Sequence, residues 1–146
     1  MQKIESHYDF NCPLESVWSL IVDFGGIKNW WPEGNAVHIE SVELDGTGVG
    51  MTRHMHNRGF DMPVSERLDF LDMETHTYKL SIVDNMPAGL IQYQATGTLS
   101  RLDNDGCRLD YTAEFITEPG REEEARTFLL GAYSLMYQGL EGACTQ

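Results

Sequence analysis

Arg53 and Glu66 are the pair in this chain best placed to do chemistry together. They flank a turn signal at Arg58-Gly59-Phe60-Asp61, and if the chain reverses there, residue numbers summing to 119 lie opposite one another. Arg53 then faces Glu66, with Met55 facing Val64 and Met51 facing Leu68. A lone charge in an apolar wall costs several kcal/mol, so the two must pair or bind water. One reading is a closed ion pair that stiffens the hairpin. The other gives Arg53 a carboxylate, phenolate or enolate to anchor, with Glu66 holding it or serving as base. Tyrosines form the second set: Tyr8, Tyr78, Tyr93 and Tyr111 on strand faces, Tyr133 and Tyr137 on a helix. A buried phenol wants a partner for its hydroxyl, and a core that needed only volume would use Phe or Leu. Two readings stay open: an amphipathic cavity holding water or a polar ligand, or tyrosines at the sheet rim with hydroxyls in solvent.

The other reactive side chains fall away. Cys12, Cys107 and Cys144 are odd in number, widely spaced and without a CxxC pair, and are read as reduced, packed thiols. Only Cys107, beside Arg108, has the basic neighbour a reactive thiol needs. His54 and His56 share an outward strand face with no third ligand in view, so no metal site is expected. His76 is placed at a strand rim, His7 and His38 in solvent. No P-loop, Rossmann, HExxH or GxSxG signature occurs, so no nucleotide or other cofactor is expected.

These groups must be carried by a chain of 146 residues, which suits one domain over 1–146. Hydrophobic residues at 41% and charged residues at 23% are globular proportions rather than disordered ones. Ten Lys and Arg against 23 Asp and Glu leave a net charge of -13, which repels phosphate backbones and anionic lipid. No apolar run approaches the roughly 20 residues of a spanning helix. Met1-Gln2-Lys3-Ile4-Glu5 lacks the basic start and apolar stretch of a signal peptide. The expectation is a soluble, cytoplasmic domain with no nucleic-acid partner and no membrane span. An exposed edge strand leaves monomer and homodimer both open.

The elements read in order as follows. Residues 4–10 alternate with period 2 as a strand whose inner face carries Ile4, Ser6, Tyr8 and Phe10. Pro13 opens a helix with Leu14, Val17, Trp18 and Ile21 on one side, and Gly25-Gly26 is expected to end it. A short second helix or turn is expected to carry Trp30-Trp31-Pro32. From about residue 36 to 117, six strands separated by short turns form an antiparallel meander. A long helix starts near Arg121, with Ala125, Leu129, Ala132, Tyr133, Met136 and Leu140 as its apolar stripe. The fold class is α+β: a seven-stranded curved antiparallel sheet around a long C-terminal helix, with two short helices after strand 1. One helix cannot fill such a sheet, so a cavity is the expected by-product.

This order resembles the START-like, helix-grip (SRPBCC, birch-pollen-allergen-like) superfamily, in its polyketide cyclase/dehydrase-type branch. The likeness rests on Cys12-Pro13-Leu14-Glu15-Ser16-Val17-Trp18, Phe24 with Trp30-Trp31-Pro32, Gly50-Met51-Thr52-Arg53, Glu66-Arg67-Leu68-Asp69 and Pro119-Gly120, in that order and spacing. The superfamily hosts binding, lipid transport and several chemistries. In its aromatase/cyclase branch, an inward arginine at the matching position acts on substrate, which the resemblance implies for Arg53. The hormone-receptor branch closes gate and latch loops over its ligand. Arg58-Gly59-Phe60-Asp61-Met62 and Asn85-Met86-Pro87 differ from those loops, so a receptor role is not implied, although Phe60 and Met86 remain expected apolar lips.

Period 2 turns the inner face inward at Val37 and Ile39; Met51, Arg53, Met55 and Asn57; Val64, Glu66, Leu68 and Phe70; Tyr78, Leu80 and Ile82; Tyr93, Ala95, Gly97 and Leu99; and Leu109, Tyr111, Ala113 and Phe115. Arg53, Glu66 and Tyr93 are the candidate catalytic residues. Tyr8, Trp30, Met55, Phe60, Tyr78, Leu80, Met86, Tyr111, Leu129 and Tyr133 are the candidate ligand contacts. The expected ligand is a hydrophobic, partly oxygenated small molecule (polyketide, phenolic or lipid-like), bound or transformed by cyclase/dehydratase-type proton transfer without metal or nucleotide. The alternative is a protein-interaction or stress-response module with a filled interior and no ligand.

Overall fold

The computed structural model describes residues 1–33 and 37–146. Strand β1 (Gln2–Phe10) leads to helix α1 (Leu14–Val22) and a 3-10 helix (Phe24–Asn29). The meander follows as β2 (Ile39–Asp45), β3 (Thr52–Asn57), β4 (Val64–Asp72), β5 (Thr77–Asp84), β6 (Leu90–Arg101) and β7 (Cys107–Thr117), and α2 (Glu122–Cys144) ends the chain. All seven strands make one antiparallel sheet in the order β1-β7-β6-β5-β4-β3-β2. This is the α+β helix-grip fold. The expected strand start at residue 36 lies outside the described residues.

Alternation builds the inner face. On β7, Leu109, Tyr111, Ala113 and Phe115 are buried while Asp110 and Glu114 face out. Helix α2 lays Ala125, Leu129, Tyr133, Met136 and Leu140 against that face, and each large apolar side chain so buried contributes about 1.5–3 kcal/mol. Glu122, Glu123 and Glu124 fill its first turn, where the helix dipole is positive. β3 and β4 pair with Arg53 opposite Glu66 and Met55 opposite Val64, so the hairpin register is the one the turn signal implies.

Three expectations fail for identifiable reasons. Phe70 points outward and is 43% exposed. A bulge between Leu68 and Phe70 inserts one residue on β4 and inverts the parity beyond it, so Leu71 turns inward instead. Gly25 and Gly26 do not cap α1, which ends at Val22; they lie inside the 3-10 helix, and neither adopts positive φ. Their smallness is used for close approach, since a Cβ on Gly26 would sit 2.2 Å from the Asp23 carboxylate and one on Gly25 3.0 Å from Leu44. Of the two arrangements expected for Trp30-Trp31-Pro32, helix or turn, the turn holds: Trp30 closes the 3-10 helix with its N–H on the Ile27 carbonyl.

The third correction concerns the thiols. Cys12 and Cys144 are joined by a disulfide, with Cα atoms 6.2 Å apart and a sequence separation of 132. Helix α2 runs back along the sheet and returns the chain end to the β1–α1 corner, a convergence invisible in cysteine spacing. Cys107 alone stays free, and it is buried. Burial, aided by the nearby carboxylates of Glu141 and Glu15, pushes its thiol up to about 11, away from nucleophilic character.

Candidate functional site

Between α2 and the inner sheet face lies a hollow of about 110 Å³, walled mainly by apolar side chains from α1, the 3-10 helix, β2 to β7 and α2. It is smaller than the roughly 150 Å³ of an engineered apolar cavity that accepts benzene, so one ring would fill it and ring substituents would extend toward its mouth. Polar groups enter it at few points.

Arg53 and Glu66 enter from the β3–β4 hairpin. Arg53 Nε and Nη2 both donate to Glu66 Oε1, at 2.9 and 2.7 Å. Nη1 donates to the Phe24 carbonyl at 3.2 Å, and the guanidinium lies 4.0 Å from the Phe24 ring centroid. A guanidinium has five N–H donors, so three bonds leave one hydrogen on each terminal nitrogen uncommitted. The group is held rigidly and can still receive an anionic or carbonyl oxygen. With side chains 9% and 15% exposed, the pair belongs to the interior.

The tyrosines form a connected wall. Tyr93 and Tyr133 share a hydroxyl–hydroxyl bond of 2.5 Å. Tyr111 packs edge-on against Tyr133 and tilted against Tyr78. Burial holds Tyr78, Tyr93, Tyr111 and Tyr133 well above the ordinary phenol range, so at neutral pH they act as neutral hydrogen-bond groups. Neither Tyr78 nor Tyr111 has a hydroxyl partner among the described residues. Tyr78 owes its position to Gly97, its partner across the β5–β6 ladder. A Cβ there would lie 2.4 Å from Tyr78 Cε1. Among the described residues three buried side-chain atoms lack partners: Trp30 Nε1 and Asn57 Oδ1 on cavity-lining residues, and Trp18 Nε1 away from the lining. Leaving such a group unsatisfied costs about 1–3 kcal/mol each, a cost that water or a ligand oxygen would relieve.

The candidate residues divide as follows. Arg53, Glu66 and Tyr93 all line the hollow, as do Trp30, Met55, Phe60, Tyr78, Leu80, Tyr111, Leu129 and Tyr133. Tyr8 does not. Its ring stacks on Tyr137 at 5.1 Å and opens onto a separate shallow groove beside Ser6, Leu130 and Gln138. Edge strand β1 therefore presents its inner face to α2 rather than to the hollow. Met86 is also displaced. Left-handed backbone at Asn85 and Ala88 turns the loop so that Pro87 meets the lining, while Asn85 Nδ2 donates to the Pro63 carbonyl at 2.8 Å and ties the two mouth loops together. Phe128 on α2 lines the hollow without having been singled out; its place three residues past Ala125, on the stripe's flank, is the signal that could have found it.

A sheet that grips one helix over a mainly apolar hollow, entered by a few polar groups, defines the START-like class of folds. The chain belongs to the family described as polyketide cyclase / dehydrase and lipid transport, whose model matches residues 1–144. Among solved structures it is similar to XoxI from Bacillus cereus (24% identity, TM-score 0.83, covering 100% of this chain and 97% of that one). It is similar to the Zhui aromatase/cyclase from Streptomyces sp. R1128 (16%, 0.81, 99% and 93%). It also resembles norcoclaurine synthase from Thalictrum flavum in complex with dopamine and hydroxybenzaldehyde (17%, 0.77, 97% and 84%). At these identities the likeness is one of fold. Among curated proteins none matches the sequence. No helix among the described residues is long and apolar enough to cross a membrane.

Proposed function

We propose that the hollow binds a hydrophobic, partly oxygenated molecule presenting about one ring to its interior, with an anionic or carbonyl oxygen on Arg53. The observation that carries this reading is a rigid guanidinium with uncommitted N–H groups beside a mainly apolar space. The unpartnered Trp30 Nε1 and Asn57 Oδ1, with the Tyr78 and Tyr111 hydroxyls on the same lining, would take up the remaining ligand polarity. A one-ring phenol or aromatic carbonyl compound would fill the hollow with its ring and leave its substituents toward the mouth; norcoclaurine synthase, a fold neighbour, is seen in complex with dopamine and hydroxybenzaldehyde, both one-ring compounds. An extended polyketide would require the loops around Phe60 and Pro87 to open.

Acid–base chemistry is the second reading. Glu66 Oε1 takes both Arg53 bonds, which leaves Oε2 as the oxygen that would accept a substrate proton. With Tyr133 donating in their shared bond, Tyr93, resistant to ionisation, would turn its single O–H to a developing enolate rather than give up its proton. The protein-interaction alternative has no use for unpaired polar atoms around a hollow.

Native mass spectrometry of the purified protein, followed by titration with 4-hydroxybenzoate and with an uncharged naphthalene dye, tests the reading. The double variant Arg53→Met/Glu66→Met keeps the interior neutral and should lose benzoate binding while retaining the dye. Loss of neither, or failure of wild type to bind either probe, would count against it.

A further inference from the structure

The three cysteines are distant in sequence, yet the fold gathers them at one corner. Cys107 pairs across the sheet with Phe10, two residues before Cys12, and Cys12 is bonded to Cys144. The Cα separation of 6.2 Å is one that a disulfide spans without moving backbone. Cys144 closes α2 four residues beyond Leu140, so both lie on one face of the helix. Leu140 is fully buried and lines the hollow. Cys12 immediately precedes Pro13 and α1, which contributes Ile21 to the same lining. The bridge thus clamps the helical cover of the hollow to the corner where its opposite wall begins.

Glu141 makes the corner suited to two states. Its Oε2 lies 3.8 Å from Cys12 Sγ and 3.6 Å from Cys144 Sγ, and it also faces the Asn11 amide at 3.4 Å. Once the bridge opens, each S–H has a carboxylate to donate to, so the reduced pair is not left unsatisfied. The same carboxylate opposes a thiolate on either sulfur, because the two charges would be alike.

We infer that Cys12–Cys144 is a reversible thiol–disulfide site that sets how firmly the last turns of α2 cover the hollow. Cys12 is buried and Cys144 is half-buried, so an external low-molecular-weight thiolate attacks Cys144 Sγ. The S–S bond breaks, a mixed disulfide forms on Cys144, and Cys12 leaves as a thiolate that takes a proton from solvent. A second external thiol resolves the mixed disulfide. Two external thiols become one external disulfide, and two protein thiols appear; the reverse reaction consumes an external disulfide.

The test uses the full chain equilibrated across graded ratios of reduced to oxidised glutathione. Thiols are counted by alkylation and mass spectrometry, and hydrogen exchange is read over residues 133–144. The count should move reversibly between one thiol, Cys107, and three. In the reduced state, exchange in the last turns of α2 should quicken by about tenfold, and the melting temperature should fall on the order of 10 °C. Cys144→Ser should behave as reduced at every ratio, and Cys107→Ser should keep the transition. Glu141→Gln should make the reduced pair react faster with iodoacetamide. Three thiols at every ratio, a bridge that no glutathione ratio opens, or α2 exchange indifferent to the count would each overturn the inference. None of these readouts involves a cavity ligand, so the result stands apart from the proposed function.

Discussion

The β3–β4 hairpin carries ion pairs on both faces, and the faces put them to different uses. Inward, Arg53 and Glu66 are almost wholly enclosed. Outward, one residue along on either strand, Arg67 reaches Asp69 with its own side chain 48% exposed, and His54 and His56 pair with the carboxylates of Asp45 and Glu43. The Asp69 carboxyl is held below its ordinary range; burial works against this, and donors from Ser81, Arg67 and Gln94 outweigh it. Water can replace Arg67, and Asp69, itself only 15% exposed, keeps donors from Ser81 and Gln94 when it does. Water cannot readily replace Arg53 for Glu66. The same chemical pair is therefore cheap to break on one face and costly on the other, and only the costly one adjoins a hollow.

The largest expected effect tests that difference. Arg53→Met strands a carboxylate in the interior and should cost about 3–5 kcal/mol, with much of the loss recovered on adding Glu66→Met. Urea unfolding of both singles and the double measures it, and strictly additive costs would show that the pair is not a unit.

Next comes alkaline stability. Tyr78, Tyr93, Tyr111 and Tyr133 all ionise less readily folded than unfolded. The folded state then holds more protons than the unfolded one above the unfolded tyrosine value, so their contribution is whole below it and falls as pH climbs past about 10, by up to about 1.4 kcal/mol per pH unit for each tyrosine. Tyr111→Phe should flatten the fall. A curve indifferent to alkaline pH would mean that the wall is solvated.

Gly97→Ala should push the Tyr78 ring into the hollow, costing about 1–3 kcal/mol in stability and weakening dye binding. Unchanged dye affinity would place the probe elsewhere. Smallest of all, Arg67→Ala on the outer face should shift unfolding by no more than about 1 kcal/mol. A loss as large as that for Arg53→Met would erase the contrast between faces.

Much of this was legible before any coordinates. Turn chemistry at Arg58-Gly59 sets the pairing of Arg53 with Glu66, because register in a short hairpin is a local property. Alternation alone turns Tyr78, Tyr93 and Tyr111 inward. What escaped depends on longer range. The bulge that turns Phe70 out has no residue signature, since Asp69 can sit in a regular ladder equally well. Tyr8 has the right parity but lies on an edge strand whose neighbour is α2, a fact of topology rather than of period. Cys12 and Cys144 meet only because α2 is long enough to return to the corner.

The central claim is that an oxygenated ring reaches the uncommitted N–H groups of Arg53. It is tested most directly by following the arginine side-chain resonances of the nitrogen-15-labelled protein during titration with one-ring phenols, hydroxybenzaldehydes and benzoates. The account predicts a saturable shift with at least one of them in the Arg53 signal, which is assigned as the resonance missing from Arg53→Met/Glu66→Met. Shifts confined to the outer-face arginines, or no shift with any compound, would contradict it.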